Sequence, residues 1–183
     1  PPFARWFVGG TTNLCHNAVD RHLATRADQN ALIFVSTETE QEHAYSFREL
    51  HAEVQRMAAI LKELGVAKGD RVLIYMPMIA EACFAMLACA RIGAIHSVVF
   101  GGFASHSLAS RIEDAQPKAI ISADAGMRGG KSVPYKGLLD EAIKLSSHKP
   151  AKVLMVNRGL AEFPKTAGRD VDSFNYAQEG SLS

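Results

Sequence analysis

Cysteine, closely spaced histidines, runs of one charge and long apolar stretches are all scarce in this 183-residue chain. Each shortage removes a class of protein. Cys15, Cys83 and Cys89 are an odd set with no CxxC spacing, so they read as reduced thiols of a cytoplasmic protein rather than a disulfide frame. The seven histidines include no pair three or four residues apart, which removes the usual helical metal-binding pattern. Twenty basic and nineteen acidic side chains leave a net charge of +1. With no block of five or more Lys/Arg, nucleic acid is not an expected partner. The most apolar stretch, 79–94, carries Glu81 and Arg91 and falls short of the ~20 residues that cross a bilayer, so no membrane is expected either. A Gly-x-Ser-x-Gly nucleophile turn is missing too.

The chain opens Pro1-Pro2-Phe3-Ala4-Arg5-Trp6, without Met and without the basic-then-apolar pattern of a signal peptide. It is therefore expected to be part of something longer.

What is present is an ordinary globular composition, 48% hydrophobic and 21% charged, which excludes disorder. Residues 31–36 form a β-rich run, and His43 to Phe47 returns after a charged turn, predicting a hairpin. Ser46 with Glu49 three residues on is a capping box. It opens a helix whose stripe is Leu50, Val54, Met57, Ala58 and Leu61 and which stops at Gly65. From there strands and helices alternate: strands at 71–76, 95–99, 119–123 and 152–156, helices at 79–92, 105–115 and 135–145. Strands that are apolar throughout and joined by helices predict an α/β fold, an open and mostly parallel sheet with helices on both faces, preceded by the β-hairpin. Residues 1–157 read as this α/β portion. Residues 158–183, with only Phe163, Phe174 and Tyr176 as anchors, read as a linker to a continuation.

In such a sheet, ligands gather at the carboxyl ends of the strands. Two glycine-rich loops are placed on that rim, Phe100-Gly101-Gly102-Phe103 and Gly126-Met127-Arg128-Gly129-Gly130-Lys131-Ser132, and they are expected on neighbouring strands. Phe100 offers a face on which a base can stack. Arg128 and Lys131 add cations to a loop that leads into a helix, whose N-terminus favours anions. Together they suit a phosphorylated adenine compound. Taken singly, each loop is equally a tight turn or a flexible surface segment. Three readings stay open: part of an enzyme, a free-standing nucleotide- or CoA-binding module, and a divergent P-loop ATPase. The last rests on Gly130-Lys131-Ser132, but Ala125 occupies the first glycine position of that motif. Asp124 at a strand end is read as a turn cap bonding local N–H groups. Cys83 and Cys89 read as buried small residues, and Arg111, Glu113 and Asp114 as a solvated helix face.

Four segments carry a resemblance: Trp6 to His22, Gly69 to Pro77, Ala94 to Phe103 and Ser122 to Lys131. In combination they resemble the N-terminal part of AMP-forming short-chain acyl-CoA synthetases, nearest to the propionate-activating members. The resemblance implies a two-step ligase: carboxylate and MgATP give an acyl-adenylate and pyrophosphate, and the CoA thiol then displaces AMP. It implies CoA as a substrate, with ATP and Mg bound mainly by residues outside this chain, and packing against the remainder of the synthetase. It places Phe100, with Gly101 and Gly102, against the CoA adenine. It places Arg128 and Lys131, with Gly129 and Gly130 between them, on CoA phosphate. Acetate-activating members usually carry Arg at the position of Lys131; lysine keeps the charge but loses the two-pronged fork. No catalytic residue and no metal ligand falls within these 183 residues. The chain alone is expected to be inactive.

Overall fold

A computed structural model describes residues 3–5, 7–36, 39–101 and 104–172. Three short helical turns come first: α1 (Leu14–Ala18), a 3-10 turn (Asp20–His22) and α2 (Leu23–Arg26). Strands β1 (Asn30–Ser36) and β2 (Gln41–Ser46) then pair antiparallel as the expected hairpin. Helix α3 (Phe47–Glu63) starts on the capping box: Ser46 Oγ accepts from the Glu49 N–H, and Glu49 accepts from the Ser46 N–H. Every residue of its predicted stripe is buried.

The alternation that follows matches the sequence reading: β3 (Arg71–Met76), α4 (Ala80–Ile92), β4 (Ile95–Phe100), α5 (Ser105–Ala115) and β5 (Ala119–Ala123). Gly93 ends α4 in the left-handed region at φ +75°, a conformation that an L side chain resists. Beyond β5 come β6 (Ala125–Arg128), β7 (Lys131–Pro134), α6 (Tyr135–Leu145), β8 (Lys152–Val156) and β9 (Asp170–Asp172). Five strands form one parallel sheet in the order β4-β3-β5-β8-β9.

Alternate residues of β3 feed two cores, as a doubly covered strand requires. Val72, Ile74 and Met76 pack with Leu61, Phe84 and Ala88 of α3 and α4. Leu73 and Tyr75 pack with Leu108, Ile112 and Leu139 of α5 and α6. The thiol of Cys89 is fully buried in the first core, and burial pushes it up to about 12. It is a packing group. Among the described residues no helix is long and apolar enough to cross a membrane.

The structure corrects several expectations. Strands β4 and β5 are not neighbours, because β3 lies between them. The chain runs out to the β4 edge and returns past β3. The stretch 126–132 is no loop at a helix N-terminus but an antiparallel hairpin, β6 paired with β7. The P-loop reading falls with it, since Lys131 and Ser132 lie on a strand where that motif needs a helix start. Within 158–172, expected to be irregular, Asp170–Asp172 adds a fifth strand beside β8. Glu113 is not merely solvated either. It accepts from Ser146 Oγ at 2.6 Å and from the Ser147 N–H at 2.8 Å. Those bonds hold its carboxyl down at about 2 and clasp α5 to the end of α6. Gly102 and Phe103, and residues 173–183, lie outside the described residues.

Candidate functional site at the sheet rim

The outgoing chain leaves β3 toward α4 on one face, while β5 continues into the β6–β7 hairpin and α6 on the other. Strands β3 and β5 are adjacent, so the point where connections diverge lies between their carboxyl ends. That is where open α/β sheets place ligands. Pro77 follows β3 at this point, and Asp124 follows β5.

The hairpin owes its shape to two residues. Gly129 and Gly130 both have positive φ, +56° and +73°, as the two central residues of a type I′ turn require. Arg128 and Lys131 flank that turn as a directly opposed cross-strand pair, both exposed. Like charges facing each other across two strands repel. Among the described residues, no carboxylate lies within ion-pair distance of either. The geometry thus presents two cations, with a pair of glycine N–H groups between them, to whatever anion approaches.

Phe100 ends β4, 64% exposed at the edge of the sheet. Gly101 follows it. The bases of the two turns meet at Tyr135, the first residue of α6 and only 7% exposed. A Cβ on Gly101 would lie 1.9 Å from the Tyr135 Oη, and one on Gly126 would lie 2.7 Å from its Cε2. Behind it, the Tyr75 ring stands 4.9 Å away, centroid to centroid. Burial, with Tyr135 alongside, pushes the Tyr75 phenol up to about 12, so it stays neutral and serves as a packing wall. The structure therefore brings the bases of the predicted loops together although their strands are not adjacent.

Asp124 is 1% exposed. Its carboxylate accepts from the N–H groups of Arg158 (3.1 Å), Leu160 (2.7 Å) and Ala161 (3.2 Å), 34–37 residues along the chain. The expected turn cap is thus a long-range tie between the β5 end and the loop after β8. Arg158 completes it by donating from Nη1 to the Ala125 carbonyl at 3.0 Å.

A hollow of about 410 Å³ opens on the rim toward the hairpin β1–β2, lined by residues that include His43, Tyr45, Ile79, Glu81 and Arg158. Neither Phe100 nor the pair Arg128 and Lys131 borders it. Sequence reasoning missed Tyr135 and Arg158. No sequence signal pointed to Tyr135: that Gly101 and Gly126 have no positive φ, and so make room for a neighbour rather than supply a turn, shows only in the structure.

Comparison with known proteins bears on this geometry. A family profile described as "AMP-binding enzyme" matches residues 19–174. The chain is 64% identical over 94% of its length to a propionate–CoA ligase of Escherichia coli K12, of which it covers 27%. It is 54% identical over 91% of its length to an acetyl-coenzyme A synthetase of Methylobacterium radiotolerans, of which it covers 26%. Among solved structures, an acetoacetyl-CoA synthetase from Streptomyces lividans superposes with a TM-score of 0.83 at 30% identity, over 97% of this chain and 26% of that one. The chain spans about a quarter of the length of the relatives it matches.

Proposed function

The chain belongs to the family of AMP-binding enzymes, and from that membership we propose that it forms the N-terminal α/β portion of an ATP-dependent, AMP-forming ligase. The full enzyme joins a short-chain carboxylate, propionate by preference, to CoA through an acyl-adenylate. Higher identity to the propionate–CoA ligase than to the acetyl-coenzyme A synthetase, 64% against 54%, supports that preference. The reduced cysteines fit the cytoplasm, where such an enzyme meets CoA and ATP.

Within this portion, the rim of the sheet carries part of the CoA site. Phe100 and Gly101, with Gly102, receive the adenine, and the hairpin tip from Arg128 to Lys131 receives phosphate. One observation carries this assignment: two opposed cations on a I′ turn have no carboxylate counter-ion among the described residues. A phosphate bridging them would turn a repulsion into two charge-assisted bonds. The adenylation step needs no group from this hairpin. Its ATP and Mg are assigned to the continuation of the chain, which also packs against the open β4 edge, where Ile95 and Val98 are more than half exposed.

The test uses the full-length enzyme. Arg128→Ala is expected to raise the KM for CoA by about 10- to 100-fold, the worth of one charge-assisted bond at ~1.5–3 kcal/mol. Phe100→Ala is expected to raise it more than the KM for propionate. ATP–pyrophosphate exchange, which involves no CoA, is expected to stay near the unmodified rate in Arg128→Ala. Equal loss in both assays would remove the assignment. The 183-residue chain alone is expected to release no pyrophosphate, and release by material confirmed to end at Ser183 would contradict this.

A further inference from the structure

We propose that Tyr135 is a positioning residue whose ring sets the distance and tilt between the aromatic turn at Phe100 and the cationic hairpin at Arg128 and Lys131. The proposal rests on the reading of those residues as a CoA site.

Because β3 intervenes, the exits of β4 and β5 stand two strand spacings apart, ~9.5 Å. Something must fill that gap if the two turns are to act on one ligand. The Tyr135 ring fills it. Its Cε1 edge and hydroxyl abut Gly101, where an added Cβ would fall 2.7 Å from Cε1 and 2.6 Å from Cζ. Its Cε2 edge abuts Gly126, whose added Cβ would also approach the Pro77 Cβ to 3.2 Å. One ring thus separates two backbones by contact on opposite edges. Neither Gly101 nor Gly126 has a positive φ, so what they supply is space for the ring rather than conformational freedom.

The ring is also held where it stands. Its backbone N–H donates to the Asp124 carbonyl at 3.1 Å, and Tyr75 backs it at an interplanar angle of 40°. With packing at interior density, a spacer of this kind cannot shrink without the turns shifting. A shift of the order of 1 Å between two halves of a binding site costs up to about a hundredfold.

The experiment compares Tyr135→Leu, Tyr135→Phe and Gly126→Ala in the full-length enzyme, with Arg128→Ala as reference. Tyr135→Leu and Gly126→Ala are expected to raise the KM for CoA at least about tenfold. ATP–pyrophosphate exchange and the KM for the carboxylate should stay within roughly twofold. Tyr135→Phe keeps the ring but loses the hydroxyl that abuts Gly101, and its KM for CoA is expected to fall between those of the unmodified enzyme and Tyr135→Leu. If Tyr135→Leu does not fold, Gly126→Ala, which leaves the ring in place and presses on its Cε2 edge, carries the test by itself with the same expectation. An unchanged KM for CoA in the leucine and alanine variants, while Arg128→Ala raises it, overturns the role of Tyr135 and leaves the site standing. Equal loss of exchange and CoA use also overturns it, by making Tyr135 a general structural residue. If Arg128→Ala itself leaves the KM unmoved, the CoA reading fails first and this proposal with it.

Discussion

Replacing Lys136 by methionine is expected to destabilise the protein by about 3 kcal/mol, at the lower end of the range for a buried ion pair that loses one partner. Lys136 is the second residue of α6 and is 2% exposed. Its ammonium lies 3.0 Å from Asp170 Oδ2 on β9 and also bonds Asp140, one turn along its own helix. Arg169 closes the square, at 2.6 Å from Asp170 Oδ1 and 2.5 Å from Asp140 Oδ1. The Asp170 side chain is wholly enclosed, so a lost cation cannot be replaced by water. Arg169 and the Thr166 N–H, at 2.8 Å, still serve Asp170 in the variant, which is why the lower end applies. A urea midpoint measured at constant slope checks the value. A change within ~0.5 kcal/mol, as for a surface substitution, would mean that the square is decorative.

The pH dependence follows from the same residues. Burial alone would push the Asp170 carboxyl up, but Arg169, the Thr166 N–H and Lys136 outweigh it and hold the group below the ordinary aspartate range. A carboxylate depressed in the folded state contributes stability in full above its unfolded pKa, ~3.9, and loses it as pH falls through the lower folded value. The unmodified protein should therefore lose this contribution only below about pH 4. Without Lys136 the folded pKa rises toward the unfolded one, so the contribution available at neutral pH shrinks. The gap between the two proteins should narrow as acid protonates Asp170 in both.

This square also marks where sequence reading stops. Strands β3, β5 and β8 are legible because each is a short, largely apolar run buried on both faces, and α3 because Ser46 and Glu49 announce its start. Strand β9 is Asp-Val-Asp, three residues whose charges look like those of a linker until Lys136, Arg169 and Lys165 are seen to neutralise them. The hairpin at Gly129-Gly130 was legible in principle, since two glycines between short runs are a I′ signal. Flanking cations made it resemble a flexible phosphate loop instead. That both candidate loops issue from one rim was readable from the βαβ rhythm, but the strand order was not. Local spacing says nothing about which side of β3 the returning chain takes. The Tyr135 contact depends on that order, so it too needed the structure.

Asp124→Ala is expected to be the most damaging change at the rim, costing about 3–5 kcal/mol, because it removes one charged acceptor from three backbone donors at once. The three N–H groups of Arg158, Leu160 and Ala161 belong to a loop with no regular structure of its own. Burial of unpaired amides there would be avoided only by opening the loop to water. Hydrogen exchange at Leu160 and Ala161 should then accelerate well before global unfolding. Asp124→Asn discriminates the tie from a proton-transfer role. An amide keeps one acceptor oxygen and turns its NH₂ toward a donor that needs an acceptor, so as a tie it should lose roughly half of the stability lost in Asp124→Ala. The position also bears on the ligand site through the main chain, since the Asp124 carbonyl accepts the Tyr135 N–H. Loosening the loop should therefore weaken CoA use before it weakens adenylation. If Asp124→Asn instead kept full stability and normal exchange while abolishing turnover, the carboxylate would have to be read as a chemical group rather than as the knot that closes this end of the sheet.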